Sequence, residues 1–158
     1  MLSAGCSAEV RDYVRLHVVA SDDGDAAQAL KLEVRDAVLA EARRLLEGAR
    51  DTDAAWETVV SHRDELETAA RRRAREAGFD GEVACETGVF AFPDRVYGGV
   101  TVPAGDYRAL RVMLGEGRGH NWWCVLYPSL CYPEGMEAPA FHSVILDWLR
   151  SLFGGTEP

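Results

Sequence analysis

Hydrophobic and polar residues follow clear periodic patterns along the first half of this 158-residue chain. Residues 13–20 (YVRLHVVA) alternate valine and leucine with arginine and histidine, which predicts a half-buried strand. Residues 21–25 (SDDGD) form a turn rich in helix-capping and acidic residues. From Ala26 to about Ala49 the spacing becomes helical. The predicted apolar face comprises Leu30, Val34, Val38, Leu45 and Ala49, with Arg35, Asp36, Glu41 and Arg43 turned away from it.

A second helix is predicted after a short break at residues 48–53, and it extends to about Ala77. Gly78 follows, and glycine is a common residue just beyond a helix end. The apolar stripe of this helix comprises Trp56, Val59, Val60, Leu66 and Ala70. Because the connection between the two helices is so short, we expect them to form an antiparallel pair.

Most of the remaining chain has the pattern of strands. Residues 82–92 (EVACETGVFAF) alternate as a strand, and Gly88 within it predicts a bulge. Turn signals follow at residues 97–100 and 102–105. We expect a long strand at residues 106–114, a short one at 123–127, and a C-terminal helix at 140–153. That helix would place Phe141, Ile145, Trp148 and Leu152 on one side.

This order of elements predicts an α+β fold, a mainly antiparallel sheet with the helices on one face. A long antiparallel helix pair and a C-terminal helix complete the expected architecture. The chain is long enough for one domain, which we place at residues 13–153. Residues 1–12 are expected to be a flexible N-terminal segment, and residues 154–158 a tail.

The net charge of −9 opposes nucleic-acid binding, because such proteins need a cationic face for the phosphates. The arginine-rich run at residues 71–75 is interpreted as a solvated helix face. Contact with an acidic partner or an anionic membrane surface is the alternative for this run. No apolar stretch reaches the length of a membrane span, so none is expected in this chain.

Residues 115–131 (GEGRGHNWWCVLYPSLC) contain most of the candidate chemistry. A phosphate loop is disfavoured, because no helix follows and the lysine of such loops is missing; the glycines instead predict a turn with positive φ. A Cys–His active site would use Cys124 with His120, or with His17, His62 or His142 as another partner, yet no protease signature surrounds Cys124. A metal site would add Cys131 and His142, at a spacing that matches no common zinc pattern.

The spacing of Cys124 and Cys131 favours a disulfide among the chemical interpretations. Six residues separate the two cysteines, and Pro128 turns the chain between them, so their Cα atoms can reach bridging distance. Such a bridge requires an oxidising compartment. Trp122 and Trp123 would point to opposite sides of a strand, so one can lie at the surface beside Arg118 and His120 as an interface anchor. Packing of both indoles in the core remains the alternative.

Three blocks of sequence together resemble the stage II sporulation protein R family of endospore-forming Firmicutes. They are residues 14–39, 90–100 and 102–131, and the most specific element is the NWWC motif at 121–124. The chain departs from the family's pattern at Ala20, Ala27 and Ser129, where asparagine, aspartate and proline are typical. The hydrophobic leader of the family is also missing, which suggests a sequence that starts downstream of it.

The resemblance implies an exported signalling protein that is not an enzyme and needs no cofactor. Such proteins are made in the forespore and act in the space between the forespore and mother-cell membranes. There they activate a membrane-embedded aspartic-type protease of the mother cell, which processes a pro-sigma factor. The patch expected to contact this partner comprises Arg118, His120, Asn121, Trp122 and Trp123, held by the Cys124–Cys131 bridge. The alternative function is a Cys-dependent cell-envelope hydrolase or transpeptidase that uses Cys124.

Overall fold

The fold was obtained as a computed structural model, in which residues 13–97 and 100–128 are described. Its elements in chain order are β1 (Val14–Val19), α1 (Asp25–Leu45), α2 (Thr52–Ser61), α3 (Arg63–Glu76), β2 (Val83–Phe92), β3 (Arg95–Tyr97), β4 (Val100–Val102), β5 (Gly105–Leu114) and β6 (Asn121–Tyr127). The boundaries of β1, β2, β5 and β6 lie within two residues of those expected from the hydrophobic pattern.

Four strands form one sheet in the order β2-β5-β1-β6. β1 runs parallel to β5, whereas β1 with β6 and β2 with β5 are antiparallel pairs. β3 and β4 form a separate antiparallel hairpin at the predicted turn. The prediction of an α+β fold with a mainly antiparallel sheet is therefore confirmed. The parallel pair arises because the chain passes through three helices and three strands between β1 and β5, which leaves room for a crossover.

The main hydrophobic core lies between one face of the sheet and the helices. Alternate residues of each strand contribute to it, so the helices cover one face as predicted. The strands supply Val14, Leu16, Val18, Val83, Cys85, Leu110, Val112, Leu114, Cys124 and Leu126, and the helices supply Leu30, Val34, Val38, Leu39, Ala42, Ala55, Val59, Leu66, Ala70 and Ala74. Val60, which was expected in the apolar stripe, is instead exposed.

The second predicted helix is interrupted, and this corrects the expectation of one long helix. His62 has φ −112° and ψ 21°, which separates α2 from α3. The side chains of Thr58 and Ser61 donate hydrogen bonds to the carbonyls of Ala54 and Glu57, four residues earlier. Hydroxyl groups that bond in this way bend helices. Asp64 and Glu65 then favour a new helix N-terminus directly after the break.

α1 and α3 nevertheless pack as an antiparallel pair. Glu33, in the first half of α1, pairs with Arg73 near the end of α3. At the other end of the pair, Arg44 of α1 lies 3.7 Å from Glu65 in the first turn of α3. Ion pairs at both ends require opposite helix directions, so the expected helix pair is formed by α1 and α3.

The interpretation of residues 71–75 as a solvated face agrees with the exposure of Arg71, Arg72 and Arg75, although several of the arginines also bind the protein's own groups. The Arg71 guanidinium donates to the carbonyl of Val83 (3.1 Å), and that of Arg75 donates to the carbonyls of Phe79 and Gly81 (2.8 and 2.9 Å). With the pair formed by Arg73, three of these arginines bind groups of the protein itself. They tie α3 to its neighbours, and Arg72 remains exposed.

β1 is buried on both faces, so the prediction of a half-buried strand was wrong. All six of its residues are buried, because β5 and β6 flank it and both faces of the sheet are covered at this strand. The Arg15 guanidinium lies over the rings of Phe92 and Tyr107, at 4.4 and 4.6 Å from their centroids. Its Nε donates a hydrogen bond to the carbonyl of Cys124 (3.0 Å).

The predicted bulge at Gly88 is also wrong. β2 pairs with β5 without a shift of register from Val83 to Phe92, and Gly88 lies opposite Ala109. A Cβ atom built on Gly88 would lie 3.3 Å from the ring of Phe90. The glycine therefore makes room for an aromatic ring on the same face of a regular strand.

Several expectations lie outside the described residues. They are the C-terminal helix at 140–153, the flexible segment at 1–12 and the tail at 154–158. Within the described residues, no helix has the length and apolar character that would allow it to cross a membrane.

We expect Arg15→Ala to lower the free energy of unfolding by about 3 kcal/mol. The change removes packing between two rings and leaves the buried carbonyl of Cys124 without its donor. Arg111→Ala is the matched control, because Arg111 pairs with Glu86 at the surface. Its loss should lower the free energy of unfolding by less than about 1 kcal/mol. Urea denaturation followed by tryptophan fluorescence measures both values, and equal losses would contradict this role of Arg15.

Candidate partner-binding surface

The loop between β5 and β6 docks on the turn between β1 and α1. The amide of Gly119 donates to the carbonyl of Ala20 (2.9 Å), and that of Arg118 donates to the carbonyl of Ser21 (3.3 Å). The amide of Ala20 in turn donates to the carbonyl of His120 (3.5 Å). Two loops that are almost a hundred residues apart in sequence therefore form one surface at the end of the sheet, which we call the two-loop surface (residues 20–25 and 115–121).

The glycines of the loop permit this docking. Gly115 and Gly117 have φ of +59° and +64°, which confirms the predicted turn geometry. Gly119 is needed for space, because a Cβ atom there would lie 2.3 Å from the carbonyl oxygen of Asp22. The glycine spacing that superficially resembles a phosphate loop is thus explained by turn conformation and close backbone contact.

The side chain of Asp23 also binds the β5–β6 loop, at His120. Its Oδ1 accepts a hydrogen bond from the amide of His120 (2.8 Å) and lies 2.6 Å from Nδ1 of the same residue. The buried Lys31 donates to the carbonyl of His120 (3.3 Å) and to Oε1 of Gln28 (2.7 Å). Burial lowers the pKa of Lys31, and the charge of Asp23 opposes this effect. One acidic and one basic group therefore hold the backbone of His120.

The polar residues of the predicted patch lie at the surface. The side chains of Arg118 and His120 are 78% and 77% exposed, and Asn121 is exposed as well. Arg118 forms an ion pair with Glu116 (2.7 Å), which is also exposed. These groups are held on a fixed backbone but keep most of their side-chain surface free for a partner.

The two tryptophans lie on opposite faces of β6, and both are half-buried. Trp122 packs against the helix-side core, and the Arg35 guanidinium lies 4.4 Å from its ring centroid. Trp123 stacks on His17 on the other face, with centroids 3.9 Å apart and planes at 12°. Neither indole projects freely into solvent. The tryptophans therefore pack beneath the two-loop surface and add little exposed area to it.

The sequence analysis missed the packing roles of Arg35 and His17 in this region. Arg35 was expected to turn away from the core, yet it is only 4% exposed. Its place four residues after Lys31, beside the stripe of Leu30 and Val34, could have indicated a buried flank of α1. Nothing in the local pattern predicts the stacking of His17 on Trp123, because their strands are over a hundred residues apart in sequence.

His17 also contacts the exposed patch directly. Its Nε2 donates to Oδ1 of Asn121 (2.9 Å) in the tautomer that carries the hydrogen on Nε2. Burial lowers the pKa of His17; the hydrogen bond with Asn121 opposes the shift, and the positive charge of Arg111 adds to it. The folded protein therefore favours neutral His17.

The described cysteines offer no reactive thiolate. Cys124 is fully buried and is disulfide-bonded, and its bonding partner lies outside the described residues. The predicted pairing with Cys131, which is also outside them, stays a prediction. Cys85 is free and buried, and burial with the negative charge of Glu67 raises the pKa of its thiol to about 12. A sulfur in a disulfide cannot be the nucleophile that the alternative function requires.

A metal site is not formed by the described part of the chain. No group of three or more histidine, cysteine, aspartate or glutamate side chains converges there in a way that could hold an ion. His120 is instead bound to Asp23, and Cys124 lies in the core. The proposed combination with Cys131 and His142 falls partly outside the described residues.

Fold and surface together define a small α+β domain that presents a polar surface made of two interlocked loops. The family described as stage II sporulation protein R (spore_II_R) matches residues 10–137, and the chain belongs to this family. Stage II sporulation protein R of Bacillus subtilis (strain 168) is 34% identical over 119 residues, which cover 75% of this chain and 53% of the relative. The chain thus spans about half the length of that curated relative. No solved structure matches this chain.

We expect Gly119→Ala to lower the free energy of unfolding by about 1–3 kcal/mol, because the added methyl group must push the loop away from Asp22. Gly48→Ala is the matched control, since a Cβ atom there meets nothing within 4 Å. It should be neutral or slightly stabilising. Urea denaturation compares the two, and an unperturbed Gly119→Ala protein would show that the docking is looser than described.

The pH dependence of stability should show the titration of His17. Because its pKa is lowered on folding, the unfolded chain binds a proton first as the pH falls below about 6.5. The free energy of unfolding should therefore decrease between about pH 6.5 and the lower pKa of the folded state. His17→Gln should reduce this slope. Equal slopes in the unmodified protein and the His17→Gln variant would contradict the assignment.

Proposed function

We propose that this protein is an exported sporulation signal that activates a membrane-embedded aspartic-type protease, which then processes a pro-sigma factor. The observation that carries the proposal is membership of the stage II sporulation protein R family over residues 10–137. The proposed site of action is the space between the forespore and mother-cell membranes. Activation, partner and location extend beyond the family name and are inferred for this chain.

The state of Cys124 supports an extracytoplasmic location. Disulfides persist in oxidising compartments and are rare in the cytosol of ordinary bacteria. Cys124 is disulfide-bonded and lies in the core at 0% exposure, so one end of the bridge is anchored in the folded sheet. The disulfide therefore acts as a structural staple in the proposed function.

The two-loop surface is the best candidate for the contact with the protease. Its backbone is fixed before binding by the bonds of Asp23, Lys31 and Gly119, so binding need not pay for ordering the loop. Its side chains carry both signs of charge, with Arg118 beside Glu116 and Asp23 beside His120. Arginine is enriched at the centre of protein interfaces, whereas isolated surface charges mainly guide association.

Both tryptophans have a supporting role in this proposal. Trp122 is held between Arg35 and the core, and Trp123 between His17 and the edge of Phe92. Because both indoles are half-buried, the proposed contact is centred on the exposed Arg118, His120 and Asn121. The rival function, a hydrolase or transpeptidase that uses Cys124, has no support from the geometry of that cysteine.

The proposal is tested by co-expression of the exported protein with the candidate protease and the pro-sigma factor, with cleavage scored by immunoblot. The double variant Arg118→Ala/His120→Ala should reduce cleavage about tenfold or more, since loss of 1.4 kcal/mol of binding is tenfold in affinity. It leaves the backbone bonds of the loop intact. Arg72→Ala/His62→Ala removes the same residue types from α3 and from the break before it, and this variant should support normal cleavage.

The two parts of the proposal fail separately. Absence of cleavage with the unmodified protein, when protease and pro-sigma factor are both present, would reject the activating function. Normal cleavage by a folded Arg118→Ala/His120→Ala variant would reject the two-loop surface alone. Circular dichroism and the urea midpoint establish that each variant is folded.

A further inference from the structure

β2 forms one edge of the sheet, and α3 covers only its first half. The outward amide of Cys85 donates to Oε2 of Glu67 (2.9 Å), and the outward carbonyl of Cys85 accepts from Arg63 (2.8 Å). The carbonyl of Val83 accepts from Arg71 in the same way. At this end of β2, side chains of α3 thus form the hydrogen bonds that a neighbouring strand would otherwise form.

The second half of the edge has no such cover in the described part of the chain. Backbone groups alternate in direction along an antiparallel strand, so those of Thr87, Val89 and Ala91 point outward like those of Cys85. No hydrogen bond joins these outward groups to any described residue. We call residues 87–91 the open edge.

The open edge lacks the features that keep sheet edges apart. Its sequence, TGVFA, contains no charge and no proline, its register is regular, and Val89 is 63% exposed. Protein edges are usually protected by lysine, proline or a bulge, because an open edge otherwise pairs with another strand. Pro93 cannot donate a backbone hydrogen bond, so it limits pairing just beyond the strand.

We propose that a second copy of this chain occupies the open edge, so that two sheets join through antiparallel β2 strands. A two-fold axis at Val89 places Val89 opposite its equivalent, and Thr87 opposite Ala91 of the second copy. This register forms about six backbone hydrogen bonds. The pairing ends where Cys85 of one copy would lie opposite Pro93 of the other. The outward backbone groups of Cys85 already bond to side chains of α3.

Side chains fit the same register on the face away from the helices. Gly88 lies opposite Phe90 of the second copy, so a residue without a side chain faces each Phe90 ring across the axis and the two rings do not collide. Within its own chain, Phe90 already lies against Gly88, and the Arg111 guanidinium stacks on its ring at 4.3 Å. An aromatic ring over a cross-strand glycine is a favourable pairing in sheets.

Charges permit and orient this pairing despite the net charge of −9. Residues 87–91 are uncharged, so no like charges face each other across the axis, and Glu86 is neutralised by Arg111. The register brings the exposed Asp94 of one copy towards Arg63 and Arg71 of the other. The joined strands are short, so we expect a weak dimer with a Kd on the order of tens of micromolar.

Sedimentation velocity over about 1–500 μM protein tests the proposal, a range that brackets the expected Kd. The unmodified chain should pass from monomer to dimer, and Val89→Lys should raise the Kd about tenfold or more, because two lysines would face each other. Val96→Lys is the matched control. It adds the same charge at a valine of β3 that is 65% exposed, and it should leave the Kd unchanged.

Cysteine cross-linking tests the register. Val89→Cys should form a covalent dimer on mild oxidation, because its Cα atom would lie about 5.5 Å from its equivalent. Thr87→Cys should not, since its equivalent is displaced by about 13 Å along the strand. A monomer at all concentrations, or a dimer unaffected by Val89→Lys, would overturn the proposal. Neither outcome bears on the protease-activating function, which is scored separately by cleavage.

Discussion

The close contact between Gly119 and the backbone of Asp22 is the constraint on which the rest of the described site depends. With no side chain at position 119, the β5–β6 loop can lie directly on the turn after β1. The hydrogen bonds that result fix where β6 begins, and so they fix its register on β1. That register places Trp122 beneath Arg35 and Trp123 on His17. One small residue therefore determines the position of two large ones.

The two faces of the sheet are built from different chemistry. The helix side is an ordinary apolar core of valine, leucine and alanine. The other face holds a buried cation, Arg15, against the rings of Tyr107 and Phe92, and Phe92 in turn contacts Trp123. A buried guanidinium is costly unless it is hydrogen-bonded, and Arg15 donates to the carbonyl of Cys124. β1 carries this cation and also leads into the two-loop surface. The same strand therefore contributes to the stability of the fold and to the candidate site.

The sequence pattern predicted most strands and the helix-side core because both depend on local periodicity. It failed where the outcome depends on residues far apart in the chain. β1 looked half-buried since Arg15 and His17 alternate with apolar residues, but its inner position in the sheet is decided by β5 and β6. The docking of residues 115–120 on the Ser21 turn is non-local in the same way. The break at His62 was local, but the hydroxyl-to-backbone bonds that accompany it are not recorded by hydrophobic spacing.

The resemblance to the stage II sporulation protein R family was confirmed, and it is the basis of the proposed signal. The geometry adds that the candidate contact is a rigid polar surface with the tryptophans beneath it. The most direct test is hydrogen exchange of the protein with and without the detergent-solubilised protease. The account predicts slower exchange at residues 20–25 and 115–121 on binding, with α3 unchanged. Slower exchange confined to other elements would contradict it.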